Sequence, residues 1–506
     1  MKTTFWGLLI VLGAVVADSR VSAQNLPAVR ARARSIEAQI AEIRGREFKR
    51  PVELELNGRP GYRTYLERKT PLPGSVLHLE DLDRYVRKLG LYRGEVVLER
   101  SYLLGVAAIG VAAYYDFDAD KVFLLSGDVG VEHWEHRLVN EMYHGLLDQY
   151  FDLNEIFLDR ADELNADEFL ARRAVVEGEA RYIEEILWQM KWNGLLPSLG
   201  VLQAAIRNTL EADAQRIRRW MSHGPTGESE SVAAARAARM DSIPGFALLQ
   251  RVRLPGLGMN IVNYVRKLHQ NWRQGWEHVD RLFTDPPVST EQVLHPEKWL
   301  AGETPVRLVW PSFEKEGLFD DWELMHEDTI GELTWRYIFT EFDVAAAGEA
   351  AAAGWNGDRF AMFRSRDGRA LLYMLYTSWD SASDAEEFED RYSDLLELKY
   401  ASDDSRYTVS RQGWDVLVLE SEREVDTDGI LAFMRNVRTW DPEAIGAVDF
   451  DGSGLVDFND FLLFAKNFGK DKLASDYDPV YDLNQDGQIN FPDYLEFVRH
   501  FGRSTS

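Results

Sequence analysis

The sequence predicts an α+β protein whose first part is mainly helical, followed by a smaller α+β unit and a calcium-binding repeat. Three observations predict this. Apolar residues recur at helical spacing through most of 26–300. From about 305, strand-like runs alternate with shorter helices. From Asp449, an acid-rich loop appears and returns 33 residues later at Asp482. A period of 3.6 marks an amphipathic helix and a period of 2 a half-buried strand.

In chain order, Lys2, the apolar stretch Phe5 to Ala17 and the small-residue site Val21-Ser22-Ala23 form a secretory signal over 1–23,. The apolar stretch is too short for a membrane span, so no span is expected after cleavage. Secretion or an extracellular, periplasmic or cell-surface location follows. A helical and strand region is expected over 24–95, with a helix over 26–46 and a strand from Val52. A second division, 96–304, holds the strand Val122–Leu125, a helix over 132–148 and a helix over 166–190, then helices to Phe283. Gly224 to Glu230 reads as a polar loop. Ser289-Thr-Glu-Gln292 restarts helix with a capping-box pattern. The α+β unit spans 305–428, with a turn at Trp355-Asn-Gly-Asp358, a helix capped at Ser383 and a hairpin over 407–420. A charged linker, 429–440, leads to the repeat at 441–506.

With no cysteine among 506 residues, disulfides and thiolate chemistry are excluded, and stability rests on burial and bound ions,. The net charge of −27 comes without a basic cluster, which excludes nucleic acid as a partner,. Fifteen tryptophans are scattered along the chain, a distribution that reads as core packing,.

The terminal loops are Asp449-Phe-Asp451-Gly-Ser453-Gly-Leu-Val-Asp457-Phe-Asn-Asp460 and Asp482-Leu-Asn484-Gln-Asp486-Gly-Gln-Ile-Asn490-Phe-Pro-Asp493. Each places oxygen side chains at positions 1, 3, 5, 9 and 12, with Gly at 6. Calcium takes six to eight oxygens, and this spacing wraps a short loop around it. Two Ca²⁺ sites are expected. Position 12 is Asp460 or Asp493 instead of Glu, and Trp440-Asp-Pro442 stops any long entering helix. In both traits the unit resembles a bacterial dockerin-like EF-hand pair. The resemblance implies a cohesin-like or cell-surface protein partner. Positions 10 and 11, often small hydroxyl residues in dockerins, are Phe458-Asn459 and Phe491-Pro492 here.

Asn140-Glu141-Met-Tyr-His144 lies on the helix after the strand. In zinc hydrolases the pattern is His-Glu-x-x-His, with both imidazoles on one helical face and Glu as general base. Asp148, one turn later, is placed to orient His144. Val176-Glu177-Gly-Glu-Ala180 offers a further carboxylate on a downstream helix. With Tyr115-Asp116, Ser289–Trp299 and Ala351–Arg359 in the same order, the chain resembles secreted bacterial zinc metallopeptidase-like proteins of the gluzincin type over roughly 30–400.

That resemblance implies a mainly helical zincin-like domain in which His144 and Glu177 ligate Zn²⁺ and Glu141 is the base. The sequence departs from the pattern at the first ligand, where Asn140 offers a poor neutral donor to zinc. His136 lies about 12 Å of helical rise from His144, too far to replace it. The site is therefore expected to be impaired, leaving a binding or structural role toward a peptide or protein ligand. The alternatives are an active secreted zinc endopeptidase and a dockerin-attached accessory in polysaccharide degradation.

Overall fold

The computed structural model describes residues 26–69, 79–109, 111–125, 134–154, 164–222, 230–269, 271, 275–313, 317–342, 345–400, 406–440, 448–453, 455–474, 476–484 and 486–501. The expected signal at 1–23 and almost all of the polar loop at 224–230 lie outside them. Two compact units divide at Glu303/Thr304. Among the described residues, no helix is long and apolar enough to cross a membrane.

The first unit is mainly helical and carries one small sheet. Strands β1 (Glu53–Asn57), β2 (Ala113–Asp116) and β3 (Lys121–Leu125) stand in the order β1-β3-β2. β1 runs parallel to β3, with Glu53 opposite Lys121, and β2 is antiparallel to β3. The expected division at residue 95 is not a boundary, because β1 lies before it and needs β3 for its backbone hydrogen bonds. Tyr62, Leu66, Leu104, Val111, Tyr114 and Leu125 form one buried cluster.

Two helices carry the motifs. Trp134–Phe151 holds Asn140-Glu141-Met-Tyr-His144, and Ala166–Asn193 holds Glu177. The second is capped at both ends. The Asn165 side chain accepts from Glu168 N–H, and Gly194 ends it at φ +69°. The Ser289–Trp299 string secures the start of that helix. Asp167 accepts from Thr290 N–H at 2.9 Å and from the Thr290 hydroxyl. Ser289 caps Thr290–Leu294 by accepting from Gln292 N–H, but the Gln292 side chain turns to Val288 N–H, so the box closes on one side only.

The second unit is built on an antiparallel sheet, β5-β6-β7-β9-β8. Its strands are Trp322–Asp328, Trp355–Ser365, Leu371–Trp379, Asp415–Ser421 and Arg406–Gln412 in that spatial order. Trp310, Phe319, Trp322, Phe363, Met374, Leu419, Phe433 and Met434 share a core against the sheet. Trp335, Phe388, Tyr392 and Trp379 make another aromatic stack. Trp355–Asp358 is not a turn. It opens β6 with a bulge between Trp355 and Gly357, and the buried Asp358 fixes it by accepting from both Trp335 and Trp355 Nε1–H. The helix over Ala382–Lys399 is capped by Ser381, two residues before the expected Ser383. Ser381 is in extended backbone, and its Oγ accepts from Asp384 N–H.

The expected linker is also structured. Thr427–Met434 is a helix whose Ile430, Phe433 and Met434 join the core. Strand β10 (Arg438–Trp440) then pairs antiparallel with β4 (Arg307–Val309). Within 429–440 only Arg435 and Arg438 are charged, and the apolar positions decide its placement.

In the repeat, each loop leads into a short helix, Phe458–Asn467 or Phe491–His500. Val448, Val456, Leu483 and Phe497 form its buried centre. The second loop pairs with the turn after the first helix. Gly469 N–H donates to Ile489 O at 2.7 Å, and Ile489 N–H to Lys470 O at 2.8 Å.

Candidate functional site

The first unit brings Glu141, His144 and Glu177 together. His144 Nδ1 lies 3.7 Å from Glu141 Oε2, and His144 Nε2 lies 3.5 Å from Glu177 Oε2. Glu141 and His144 are buried, and the Glu177 side chain is 12% exposed. Glu141 and His144 are three positions apart on one helix, so both face the Ala166–Asn193 helix,. His144 Nε2 is buried and has no hydrogen-bond partner. A buried ring nitrogen without a partner fits a coordinating role better than a packing role.

The environment perturbs all three groups. Burial and the neighbouring Glu177 hold the Glu141 carboxyl well above the usual range, against the Tyr115 N–H, which donates to Glu141 Oε2 at 2.8 Å. Burial pushes Glu177 up to about 7, opposed by Arg173. Burial pushes His144 down to about 4, opposed by Glu184. Neutral imidazole is the form that binds metal.

Asn140 faces Glu184 instead of His144. Its Nδ2 donates to Glu184 Oε2 at 3.5 Å, the long end of hydrogen bonding,. Asp148 does not orient His144. Its Oδ2 accepts from the Tyr115 hydroxyl at 2.9 Å and its Oδ1 from Leu153 N–H at 2.8 Å. One turn of helix separates Asp148 from His144, but the tyrosine and the helix end take both oxygens. Asp148 thereby helps hold Tyr115, whose backbone positions Glu141.

Glu184 and the arginines around it were not singled out from the sequence. Arg181 Nη1 contacts Glu184 Oε1 at 2.5 Å, and Arg137 Nη1 lies 3.9 Å from the same oxygen. The available signal was spacing. Glu184 follows Glu177 by seven residues, two turns along the same face.

Glycine fixes how this helix lies. A Cβ on Gly178 would overlap the Gly258 backbone and stand 2.5 Å from Met259 N. On the other flank, Glu179 pairs with Arg44 at 2.9 Å and accepts from the Tyr143 hydroxyl at 2.8 Å. In Glu177-Gly-Glu179, then, one carboxylate enters the cleft, the glycine permits helix crossing, and the other carboxylate anchors the back.

In the repeat, carboxylate oxygens of Asp449, Asp451 and Asp460 lie within 4.8 Å of one another, as do those of Asp482, Asp486 and Asp493. Glu141, His144 and Glu177 do not form such a group among the described residues. Asp460 accepts from Asp451 N–H at 3.0 Å and Asp457 N–H at 2.8 Å. Asp493 makes the same two bonds, to Asn484 and Asn490, at 3.0 and 2.8 Å. Position 12 thus folds each loop back on itself. Ser453 N–H donates to both Asp449 and Asp451, and Asp486 N–H to both Asp482 and Asn484. Asp457 and Asn490 stand at the helix N-caps. Gly487, at position 6, has φ +84°, a left-handed conformation that favours glycine,.

A family described as a domain of unknown function, DUF8575, matches residues 322–431. The match runs from β5 through the sheet into the helix at Thr427–Met434. No curated protein matches the chain, and no solved structure does.

Proposed function

We propose that this is a secreted calcium-binding protein whose helical unit is metallopeptidase-like, with an impaired zinc site and a binding or structural role. The observation that carries the reading is the meeting of His144 and Glu177 at 3.5 Å beside Asn140. A catalytic zinc takes three protein ligands and keeps one open position. His144 and Glu177 supply two strong donors, and Asn140 directs its amide nitrogen to Glu184. This donor set does not fit a catalytic zinc. The two acidic clusters of the repeat support calcium at both loops, with position 12 already turned inward.

The unpartnered His144 Nε2 favours a second reading, an active zinc endopeptidase that tolerates Asn140. Elemental analysis of the purified full chain separates the two. The proposed reading expects two calcium ions and far less than one zinc per chain. One zinc per chain with chelator-sensitive proteolysis would establish the active enzyme. A cohesin-like or cell-surface partner for the repeat remains part of the proposal. Exposed Phe458, Leu462, Phe491 and Leu495 on its two helices support an apolar contact.

A further inference from the structure

The cleft around His144 is rich in guanidinium groups as well as carboxylates. Arg137 precedes Glu141 by one turn and lies 3.9 Å from Glu184 Oε1. Arg173 precedes Glu177 by one turn, with Nε 4.0 Å from Glu177 Oε1. Arg181 contacts Glu184 at 2.5 Å. Spacings of three and four place each of these arginines on the same helical face as a cleft carboxylate.

Resting on the metallopeptidase-like reading, we propose that Arg137, Arg173 and Arg181 supply the positive charge that a metal ion would otherwise bring to this cleft. The cleft is then a metal-independent ionic core, and the missing imidazole is only one of two barriers to zinc.

These pairings carry the proposal: Arg173 stands beside Glu177, and Arg137 and Arg181 stand beside Glu184. A divalent ion would have to compete with guanidiniums for the same carboxylates. Arg251, which interacts electrostatically with Arg137, adds another positive group nearby. Placing a divalent cation among guanidiniums in a low-dielectric site is strongly unfavourable. Asn140 is consistent with this arrangement, since its amide donates to Glu184 without a metal.

Asn140→His alone therefore restores a ligand but not the charge that zinc requires. The test is zinc binding to the full chain with its loops saturated in calcium. Elemental analysis and calorimetry are applied to the wild type, N140H, N140H/R137Q and N140H/R181Q. N140H is expected to gain little, and each double variant to bind zinc roughly tenfold or more tightly than N140H, the scale on which neighbouring groups tune metal sites. Melting curves report folding. The Arg181 side chain is 33% exposed, so its variant carries the test if the Arg137 variant does not fold. Tight one-to-one zinc binding by N140H, unchanged by either arginine substitution, would overturn the proposal. One zinc per wild-type chain would instead overturn the impaired-site reading on which it rests.

Discussion

Gly178 and Gly258 meet backbone to backbone. A Cβ on Gly258 would overlap the Ala174 carbonyl oxygen and stand 2.7 Å from Gly178 Cα. The contact lies one residue from Glu177, so helix packing and cleft geometry are coupled. Gly178→Ala and Gly258→Ala should each cost about 1–3 kcal/mol, the usual range for overpacking a close contact. Gly105 has open space where its Cβ would be, and Gly105→Ala serves as the control. Denaturant unfolding of the three variants checks this. Equal midpoints for Gly258→Ala and Gly105→Ala would contradict the packing account.

Arg44 and Glu179 form an ion pair with side chains 2% and 0% exposed. Tyr143 and Asp280 complete its hydrogen bonds. Removing one partner leaves a buried charge. Arg44→Met should therefore destabilise the helical unit by about 3–5 kcal/mol. Combining it with Glu179→Gln should recover part of that loss. Thermal melts of both variants read the effect, and a double variant no better than the single would refute it.

Asp358 accepts from Ile330 N–H, Gly331 N–H and the Nε1–H groups of Trp335 and Trp355 at 2.7–3.0 Å. Burial still pushes its carboxyl from 3.8 up to about 6. The folded form then holds this proton more tightly than the unfolded chain. Its contribution to stability is full below about pH 4 and is lost as pH rises through about 6. Asp358→Asn should remove this slope. The variant should also be weaker by about 1–3 kcal/mol, since an amide cannot accept all four bonds. Melting temperatures between pH 4 and 7.5 for both proteins provide the check. Identical pH slopes would count against the assignment.

The aspartate clusters of the repeat imply that an ion binding only the folded form stabilises it. At free calcium 100 times Kd, the gain is about 2.7 kcal/mol per site. Chelator should lower the melting of the repeat in the full chain. Asp493→Ala should leave one calcium per chain by calorimetry, because it removes a carboxylate and the bonds to Asn484 and Asn490. A titration that still reads two ions would exclude Asp493 as a ligand.

Local signals placed much of this in advance. Periodicity marked the two motif helices, and the Glu141-x-x-His144 spacing correctly put those residues on one face. Long-range choices were hidden. Nothing near Asp148 in the sequence shows that Tyr115, from a different strand, claims its carboxylate. Glu184 was legible as the residue two turns beyond Glu177, but its importance depends on Arg137 from another helix. The segment at 429–440 looked like a linker because a charged run, Glu420 to Asp428, precedes it. Ile430, Phe433 and Met434 instead bury it, and β10 finds its partner well over a hundred residues upstream.

That last pairing has a mechanical consequence. Arg307 lies opposite Trp440 at one end of the ladder. The chain arrives from the helical unit at that end and leaves toward the repeat at the same end. Tension between the two would load the hydrogen bonds one after another, as in opening a zipper, instead of shearing all of them together. The ladder has only three residue pairs in series, and at its entering end Val306 N–H donates to Asn356 O of β6 at 2.7 Å, so the same pull also reaches the five-stranded sheet.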